Sequence, residues 1–148
     1  MSTFYADIVT AAKSYLTTNG RTGANKMIIL LSDGDANGGT AANPNQECHQ
    51  AITAAAAAKT AGMTVVTIGY GSPGSGSCST DTSPTITACQ TLLDMASVGT
   101  GTASLPQWFY SDSGSACHGA NSASSLSAIF TSIGASLTSG GARLIPSS

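Results

Sequence analysis

Charged side chains are scarce in this sequence, and their scarcity excludes several classes of protein. They make up 8% of the 148 residues, against about 25% in an average soluble domain. No basic cluster is present to bind nucleic acid or an anionic membrane; the five basic residues are scattered at Lys13, Arg21, Lys26, Lys59 and Arg143. No run of about 18 apolar residues predicts a transmembrane span. The first residues lack the pattern of a signal peptide, so we expect any export signal of the parent protein to lie upstream.

The composition that remains is that of one domain with a polar but weakly charged surface. Hydrophobic residues make up 41% of the chain, which is enough for a core, and 148 residues predict a single domain, residues 1–148. Ser, Thr, Asn and Gly supply most of the polarity. That composition favours a periplasmic, cell-envelope or secreted parent protein.

The cysteines favour disulfides over a metal site. There are four, namely Cys48, Cys78, Cys89 and Cys117. Zinc suits cysteine together with the two histidines, but the spacing fits no common zinc motif and contains no CxxC pair. An even count in a Ser/Gly-rich chain predicts two disulfides. Cys78 and Cys89 flank a loop rich in Ser, Thr and Pro, so we expect them to pair with each other, which leaves Cys48 for Cys117. Four cysteines allow three connectivities.

The hydrophobic pattern alternates between helical and strand periods, which predicts an α/β fold. Helices are predicted over residues 5–16, 47–61, 87–98 and 122–138, and strands over 26–32, 63–69 and 107–110. Polar loops are expected between them, including a long irregular loop over residues 70–87. Strands that alternate with helices predict a parallel sheet with helices on both faces.

The most informative segment is the strand that runs into acidic residues. Met27–Leu31 is a continuous apolar run, typical of a strand buried on both faces. It ends at Ser32, Asp33 and Asp35, and ligands bind at the carboxyl ends of strands in such sheets. Oxygen ligands of this kind suit Mg²⁺, Mn²⁺ or Ca²⁺. The same residues match half of an EF-hand loop, but Pro44 stands where that loop needs Glu, so we interpret the match as coincidence.

The ordered series of motifs resembles a von Willebrand factor type A (VWA) domain. The central motif is IILLSDGDAN, followed by AAAAKTAGMTVVTIGYG, LLDMASVGTG, WFYSDS and SSLSAIFTSIGASL. In style the sequence resembles the VWA regions of bacterial Flp-type, or tight-adherence, pilus assembly proteins. The resemblance implies a three-layer, Rossmann-like fold and a non-enzymatic adhesion or protein-binding role.

The resemblance also implies a divalent-cation site of the metal-ion-dependent adhesion (MIDAS) type. In the family, ligands come from a DxSxS motif, a later Thr and the Asp of the "DG" motif, and a carboxylate of the partner protein completes the coordination. Asp33 matches that Asp, Thr3 falls about where the Thr is expected, and Ser32 and Asp35 lie beside them. No DxSxS motif occurs in this chain. We therefore expect a weak, partial site.

The missing motif also leads us to expect that the chain lacks the first strands of the family. The absent strand would lie beside Met27–Leu31, which would leave that strand as an unpaired apolar edge. Such an edge is a template for association, so a homo-oligomer formed through Met27–Leu31 is a further hypothesis.

The alternative from another class is a small serine hydrolase acting on an ester. Tyr70–Gly74 follows a strand but lacks the GxSxG pattern of a nucleophile elbow. His118 with Asp112 and a serine would need tertiary geometry that the sequence does not supply. No phosphate-binding glycine motif is present, and we expect Trp108, Phe109 and Tyr110 to belong to a strand and the core.

Overall fold

A computed structural model describes residues 4–34, 36, 45–71, 77–98, 108–112, 117, 121–123 and 125–139. Its elements, in chain order, are α1 (Tyr5–Asn19), β1 (Met27–Ser32), α2 (Glu47–Thr60), β2 (Thr64–Gly69), β3 (Ser77–Thr82), β4 (Thr85–Thr87), α3 (Ala88–Met95), β5 (Phe109–Asp112), β6 (Asn121–Ala123) and α4 (Leu126–Ser139). All four predicted helices and all three predicted strands are present, with ends that differ by a few residues.

The main sheet is parallel, as the alternating pattern predicts. Its strand order is β1-β2-β5-β6, and each neighbouring pair is parallel. The fourth strand, β6, lies where the sequence predicted the end of a loop and the start of a helix. The prediction of one irregular loop over residues 70–87 is also wrong in part, because β3 and β4 form an antiparallel hairpin there. The three strands that the sequence missed, β3, β4 and β6, are short or polar, so they carry no hydrophobic period.

Helices cover both faces of the sheet, which confirms the layered α/β architecture. One face carries Ile28, Val65 and Phe109, which form a core with buried residues of α1, α2 and α3. The opposite face carries Val66, Ile68 and Tyr110, which pack against Ile129 and Ile133 of α4. The predicted core placement of Phe109 and Tyr110 is confirmed, since both are buried.

The α4 helix buries only part of its set of large apolar side chains. Leu126, Ile129 and Ile133 pack toward the sheet, but Phe130 is 45% exposed. The side chain of Leu137, near the end of the helix, lies outside the described residues.

The prediction that β1 is buried on both faces is wrong. Ile28 and Leu30 are buried, whereas Ile29 and Leu31 are 42% and 45% exposed. The cause is position, because β1 is at one edge of the described sheet and pairs there only with β2.

Two disulfides are present, as predicted, but the predicted pairing is wrong. Cys48 bonds to Cys78, and Cys89 bonds to Cys117. The hairpin explains the difference, because β3 packs against α2 and so brings Cys78 to the start of that helix. Cys89 lies in α3, which leaves it to bridge to Cys117. Proximity in sequence was therefore a poor guide to proximity in space.

The β3–β4 hairpin also caps α2, across more than thirty residues of sequence. The Asp81 carboxylate accepts hydrogen bonds from the backbone N–H groups of Cys48, at 3.1 Å, and His49, at 3.0 Å. These donors belong to the first turn of the helix, where no intrahelical acceptor exists. Thr80 Oγ1 accepts a hydrogen bond from Gln46 N at 3.0 Å. The hairpin therefore supplies hydrogen-bond acceptors for the backbone N–H groups at the start of α2. The N-cap residue, Gln46, provides no capping side-chain bond.

Candidate functional site

The carboxyl end of β1 leads into an exposed carboxylate, that of Asp33. Asp33 follows the last residue of β1 directly and is exposed. Within the ranges that the structure describes, its carboxylate has neither a hydrogen-bond partner nor an ion pair. Both oxygen atoms are therefore open to a ligand from solvent, as a cation-binding carboxylate requires.

The turn that carries Asp33 is held in place by the first helix. The Tyr5 hydroxyl, at the start of α1, donates to Gly34 O at 2.7 Å and also contacts the Ser32 hydroxyl. The Ser32 hydroxyl donates to Gly34 O at 2.9 Å and accepts from Gly34 N at 3.2 Å. Tyr5 itself is 2% exposed. This network fixes the backbone on both sides of Asp33 and so limits the entropy lost when its carboxylate binds a ligand.

The other predicted ligands are Ser32, Thr3 and Asp35, and only Ser32 belongs to the described residues. Ser32 is close to Asp33 in the chain, but its hydroxyl is already engaged with Tyr5 and Gly34, so a cation that binds it must displace one of those contacts. Thr3 and Asp35 lie outside the described residues. The structure therefore brings Ser32 and Asp33 together, and the roles of Thr3 and Asp35 stay predictions.

The neighbouring strand ends are tied to each other. Asp112, the last residue of β5, accepts a hydrogen bond through Oδ1 from Gly71 N at 3.1 Å. Gly71 has a φ of 79°, in the left-handed region that glycine adopts without strain. This bond joins the chain after β2 to the end of β5. Asp112 therefore fixes the strand ends at the same carboxyl end of the sheet at which Asp33 lies. The sequence did not indicate this role.

The residues of the hydrolase alternative are not assembled in the described part of the chain. Residues 72–74 and His118 lie outside it. The described histidine, His49, bonds through Nδ1 to Asp81, and no described hydroxyl group is hydrogen-bonded to its ring. A nucleophile held by a histidine is the first geometric requirement of that chemistry.

One buried group combines two cysteines with an acid. The sulfur atoms of Cys48 and Cys78 lie within 4.8 Å of a carboxylate oxygen of Asp81. The two sulfur atoms are joined in a disulfide, and metal coordination by cysteine uses the thiolate. In the oxidised protein this cluster is therefore structural.

Comparison with known proteins gives one match, and it covers the candidate site. A family model of the von Willebrand factor type A domain matches residues 3–91, which is more than half of the chain. The chain belongs to the VWA family. The matched segment of this VWA domain runs from before α1 through the first half of α3 and contains Ser32 and Asp33. No curated protein and no solved structure matches the chain.

Membership of the family sets the broad role of this VWA domain. VWA domains are generally protein-interaction or adhesion modules, and they often bind a divalent metal. None of the helices in the described ranges is both long enough and apolar enough to cross a membrane.

Proposed function

We propose that this VWA domain is a non-enzymatic protein-binding module that binds its partner through a divalent cation held at Asp33. The supporting observation is the exposed Asp33 carboxylate, without a described partner, at the carboxyl end of a parallel strand. Thr3 precedes Tyr5 by two residues, and Tyr5 contacts the turn beside Asp33. Thr3, Ser32 and Asp35 are the further oxygen ligands that we propose.

The chemistry of these groups suits a hard cation with several open positions. Carboxylate and hydroxyl oxygens favour Mg²⁺, Mn²⁺ or Ca²⁺ over softer ions. The chain supplies fewer ligands than the six or more that these cations take, so water fills the other positions. A carboxylate of the protein partner then replaces one of those water molecules. We place this interaction in the bacterial cell envelope, in a pilus assembly protein, on the strength of the motif resemblance.

A thermal-shift experiment tests the cation site. The melting temperature is measured with EDTA and with Mg²⁺, Mn²⁺ or Ca²⁺, for the wild type, Asp33→Ala and Asp7→Ala. Asp7 is an exposed acid in the first turn of α1 and serves as the charge-matched control. We expect a cation-dependent rise that Asp33→Ala abolishes and Asp7→Ala retains. Equal shifts for all three proteins, or none, would contradict the proposal.

A second part of the proposal concerns the exposed edge. We propose that β1 pairs with β1 of a second copy of the chain. The support is the position of β1 at the edge of the described sheet, with Ile29 and Leu31 over 40% exposed. The strand contains no proline and no charge from Met27 to Ser32, so it lacks the usual protection against edge pairing. Two copies of β1, paired antiparallel, would form a two-fold symmetric, self-complementary interface.

Light scattering coupled to size exclusion tests the edge pairing. We expect the wild type to have a dimeric mass at micromolar concentration and Leu31→Lys to be monomeric. Ile8→Lys is the matched control, because Ile8 is 52% exposed but lies on α1 and not on β1. A monomeric wild type would end this part of the proposal and leave the cation site untouched.

A further inference from the structure

One of the two disulfides lies beside a buried acid. The Cys48–Cys78 bond joins the first turn of α2 to β3, and a carboxylate oxygen of Asp81 lies within 4.8 Å of both sulfur atoms. The three residues are buried, with exposed fractions of 0%, 3% and 1%. Among the described residues, no such group of three ligands includes the other disulfide, Cys89–Cys117. The two disulfides therefore differ in their chemical surroundings, although their sequence separations, 30 and 28, are nearly equal.

The Asp81 carboxylate keeps the capacity for a further ligand. Its Oδ1 atom accepts from His49 N and bonds to His49 Nδ1, whereas its Oδ2 atom accepts from Cys48 N. A carboxylate oxygen offers two lone pairs, so Oδ2 has one that these bonds do not use. The bond to His49 Nδ1 also fixes the orientation of the carboxylate, as outer-shell partners do in metal sites. The cap of α2 and a metal–oxygen bond are therefore compatible.

The surroundings of both sulfur atoms suit thiolates. Cys48 is the second residue of α2, and the start of a helix favours the negative charge of a thiolate. Thr91 Oγ1 lies 3.6 Å from Cys78 Sγ, and a hydroxyl in that position can donate a hydrogen bond to a thiolate. Thiolate is the form of cysteine that binds a metal ion. Both sulfur atoms therefore have neighbours that stabilise the metal-binding form.

The spacing of the three groups is within reach of a tetrahedral ion. Zn–S bonds of about 2.3 Å and a Zn–O bond of about 2.1 Å place the ligand atoms roughly 3.6–3.8 Å apart. The three atoms lie within 4.8 Å of one another. The Cα atoms of Cys48 and Cys78 are 6.3 Å apart, near the wide end of the range for disulfides. Once the sulfur–sulfur bond is broken, rotation of the two side chains can therefore separate the sulfur atoms to the distance that the ion needs.

We propose that reduction converts the Cys48–Cys78 disulfide into a Zn²⁺ site, with Asp81 as the third ligand and water as the fourth. A dithiol supplies the two electrons and two protons that break the sulfur–sulfur bond, and it leaves as its own disulfide. Zn²⁺ then displaces the two thiol protons, which pass to solvent. Two sulfur ligands and one oxygen favour Zn²⁺ over Mg²⁺, Mn²⁺ and Ca²⁺, which take oxygen ligands.

The ion holds together the same two elements as the disulfide. Cys78 and Asp81 belong to β3, and Cys48 belongs to α2. Bound Zn²⁺ therefore ties the β3–β4 hairpin to the helix that it caps when reducing conditions remove the disulfide. The site differs from the one proposed at Asp33 in its ligands, in the class of cation and in its dependence on reduction, so each can fail without the other.

A Co²⁺ titration of the full-length chain is the first test. Co²⁺ occupies tetrahedral Zn²⁺ sites, and its absorption spectrum reports thiolate ligands through charge-transfer bands. We expect the wild type, reduced with a phosphine, to develop these bands up to a single ion per chain and to lose them when Zn²⁺ is added. The oxidised wild type should develop none. Thiolate bands that are absent from the reduced protein, or present in the oxidised protein, would overturn the proposal.

The two cysteine pairs provide matched variants for that titration. We expect reduced Cys48→Ser/Cys78→Ser to lose the thiolate bands and reduced Cys89→Ser/Cys117→Ser to retain them. The same spectra are recorded in denaturing urea, where the bands should disappear because the ligands come from two elements of the fold. Equal bands in the two double variants, or bands that urea leaves unchanged, would show metal binding by thiols without the site and would contradict it.

The contribution of the acid is measured with a second pair of variants. Asp81→Asn should weaken Co²⁺ binding by at least about tenfold, the lower limit for loss of an outer-shell partner, because here a direct ligand is lost. Asp94→Asn is the control, since Asp94 is an exposed acid, and Asp33→Ala should also leave the affinity unchanged. Equal affinities of Asp81→Asn and Asp94→Asn would remove Asp81 from the site.

Thermal unfolding shows whether the ion binds the folded protein. Zn²⁺ should raise the melting temperature of the reduced wild type and leave that of reduced Cys48→Ser/Cys78→Ser unchanged. If reduction alone unfolds the chain, Zn²⁺ should restore the circular dichroism spectrum of the oxidised protein, and failure to restore it would contradict the proposal. If Asp81→Asn does not fold, the comparison of the cysteine pairs and the urea control still decide the question.

Discussion

Replacement of Asp81 by alanine is expected to be strongly destabilising. The carboxylate is buried and accepts three hydrogen bonds, from Cys48 N, His49 N and His49 Nδ1. Loss of a helix cap costs about 0.5–2 kcal/mol, and a hydrogen bond to a charged group contributes about 1.5–3 kcal/mol. We therefore expect Asp81→Ala to lower the free energy of unfolding by about 3 kcal/mol.

The assay is urea and thermal unfolding followed by circular dichroism at neutral pH. A loss of that size corresponds to a fall in melting temperature of about 6–12 °C for a domain near 150 residues. Asp94→Ala is the matched control, because Asp94 is exposed and its carboxylate accepts from the exposed Gln90 side chain; it should change stability by less than about 0.5 kcal/mol. The stability lost in His49→Ala should lie between the losses in Asp94→Ala and Asp81→Ala. Equal stabilities of Asp81→Ala and Asp94→Ala would refute the reasoning that the hairpin caps α2.

Three further changes have distinct expected outcomes. The double variant Cys48→Ala/Cys78→Ala should lose about 3.5 kcal/mol of the free energy of unfolding measured in urea, because the disulfide closes a loop with a sequence separation of 30 and so lowers the entropy of the unfolded chain. An unchanged urea midpoint would contradict this prediction. Burial lowers the pKa of Lys59 below its ordinary 10.5, so the Lys59 amine binds its proton more tightly in the unfolded chain than in the folded one. The free energy of unfolding of the wild type, relative to that of Lys59→Met, should therefore rise as the pH approaches 10.5 from below. A relative free energy that falls over this range would contradict the prediction. Phe109→Ala should cost about 3–5 kcal/mol, whereas the half-exposed Phe130→Ala should cost far less, and equal losses in thermal unfolding would count against the core assignment.

The parts of the fold that could be predicted are those with a strong local signal. The MIILL and TVVTIG segments are short, apolar or β-branched, and they form β1 and β2. The alanine-rich run forms α2, as its intrinsic helix propensity predicts. Alternation of these elements was sufficient to predict the parallel sheet.

The parts that could not be predicted depend on contacts between distant residues. The SCSTDT segment of β3 has no apolar period, and its place is fixed by the bond from Cys78 to Cys48 and by the cap that Asp81 provides to α2. The cysteine pairing follows from that hairpin and so was beyond reach of the sequence. The exposure of Ile29 and Leu31 likewise depends on which strands lie beside β1.

The candidate sites also differ in whether they depend on a local signal or on contacts between distant residues. Asp33 could be found from sequence, because a carboxylate directly after a buried strand is a local signal. The link between His49 and Asp81 could not, since the two residues are 32 positions apart and belong to a helix and a polar strand. The Tyr5 contact that holds the Asp33 turn is a further long-range contact of this kind.

Manganese-induced line broadening tests the central proposal most directly. Mn²⁺ is titrated at substoichiometric amounts into nitrogen-15-labelled protein, and the loss of each backbone amide signal is followed. The account predicts that broadening is strongest at Asp33 and Gly34, weaker along α4, and absent in Asp33→Ala. Broadening centred away from the carboxyl end of β1, or unchanged in Asp33→Ala, would contradict a cation site at Asp33.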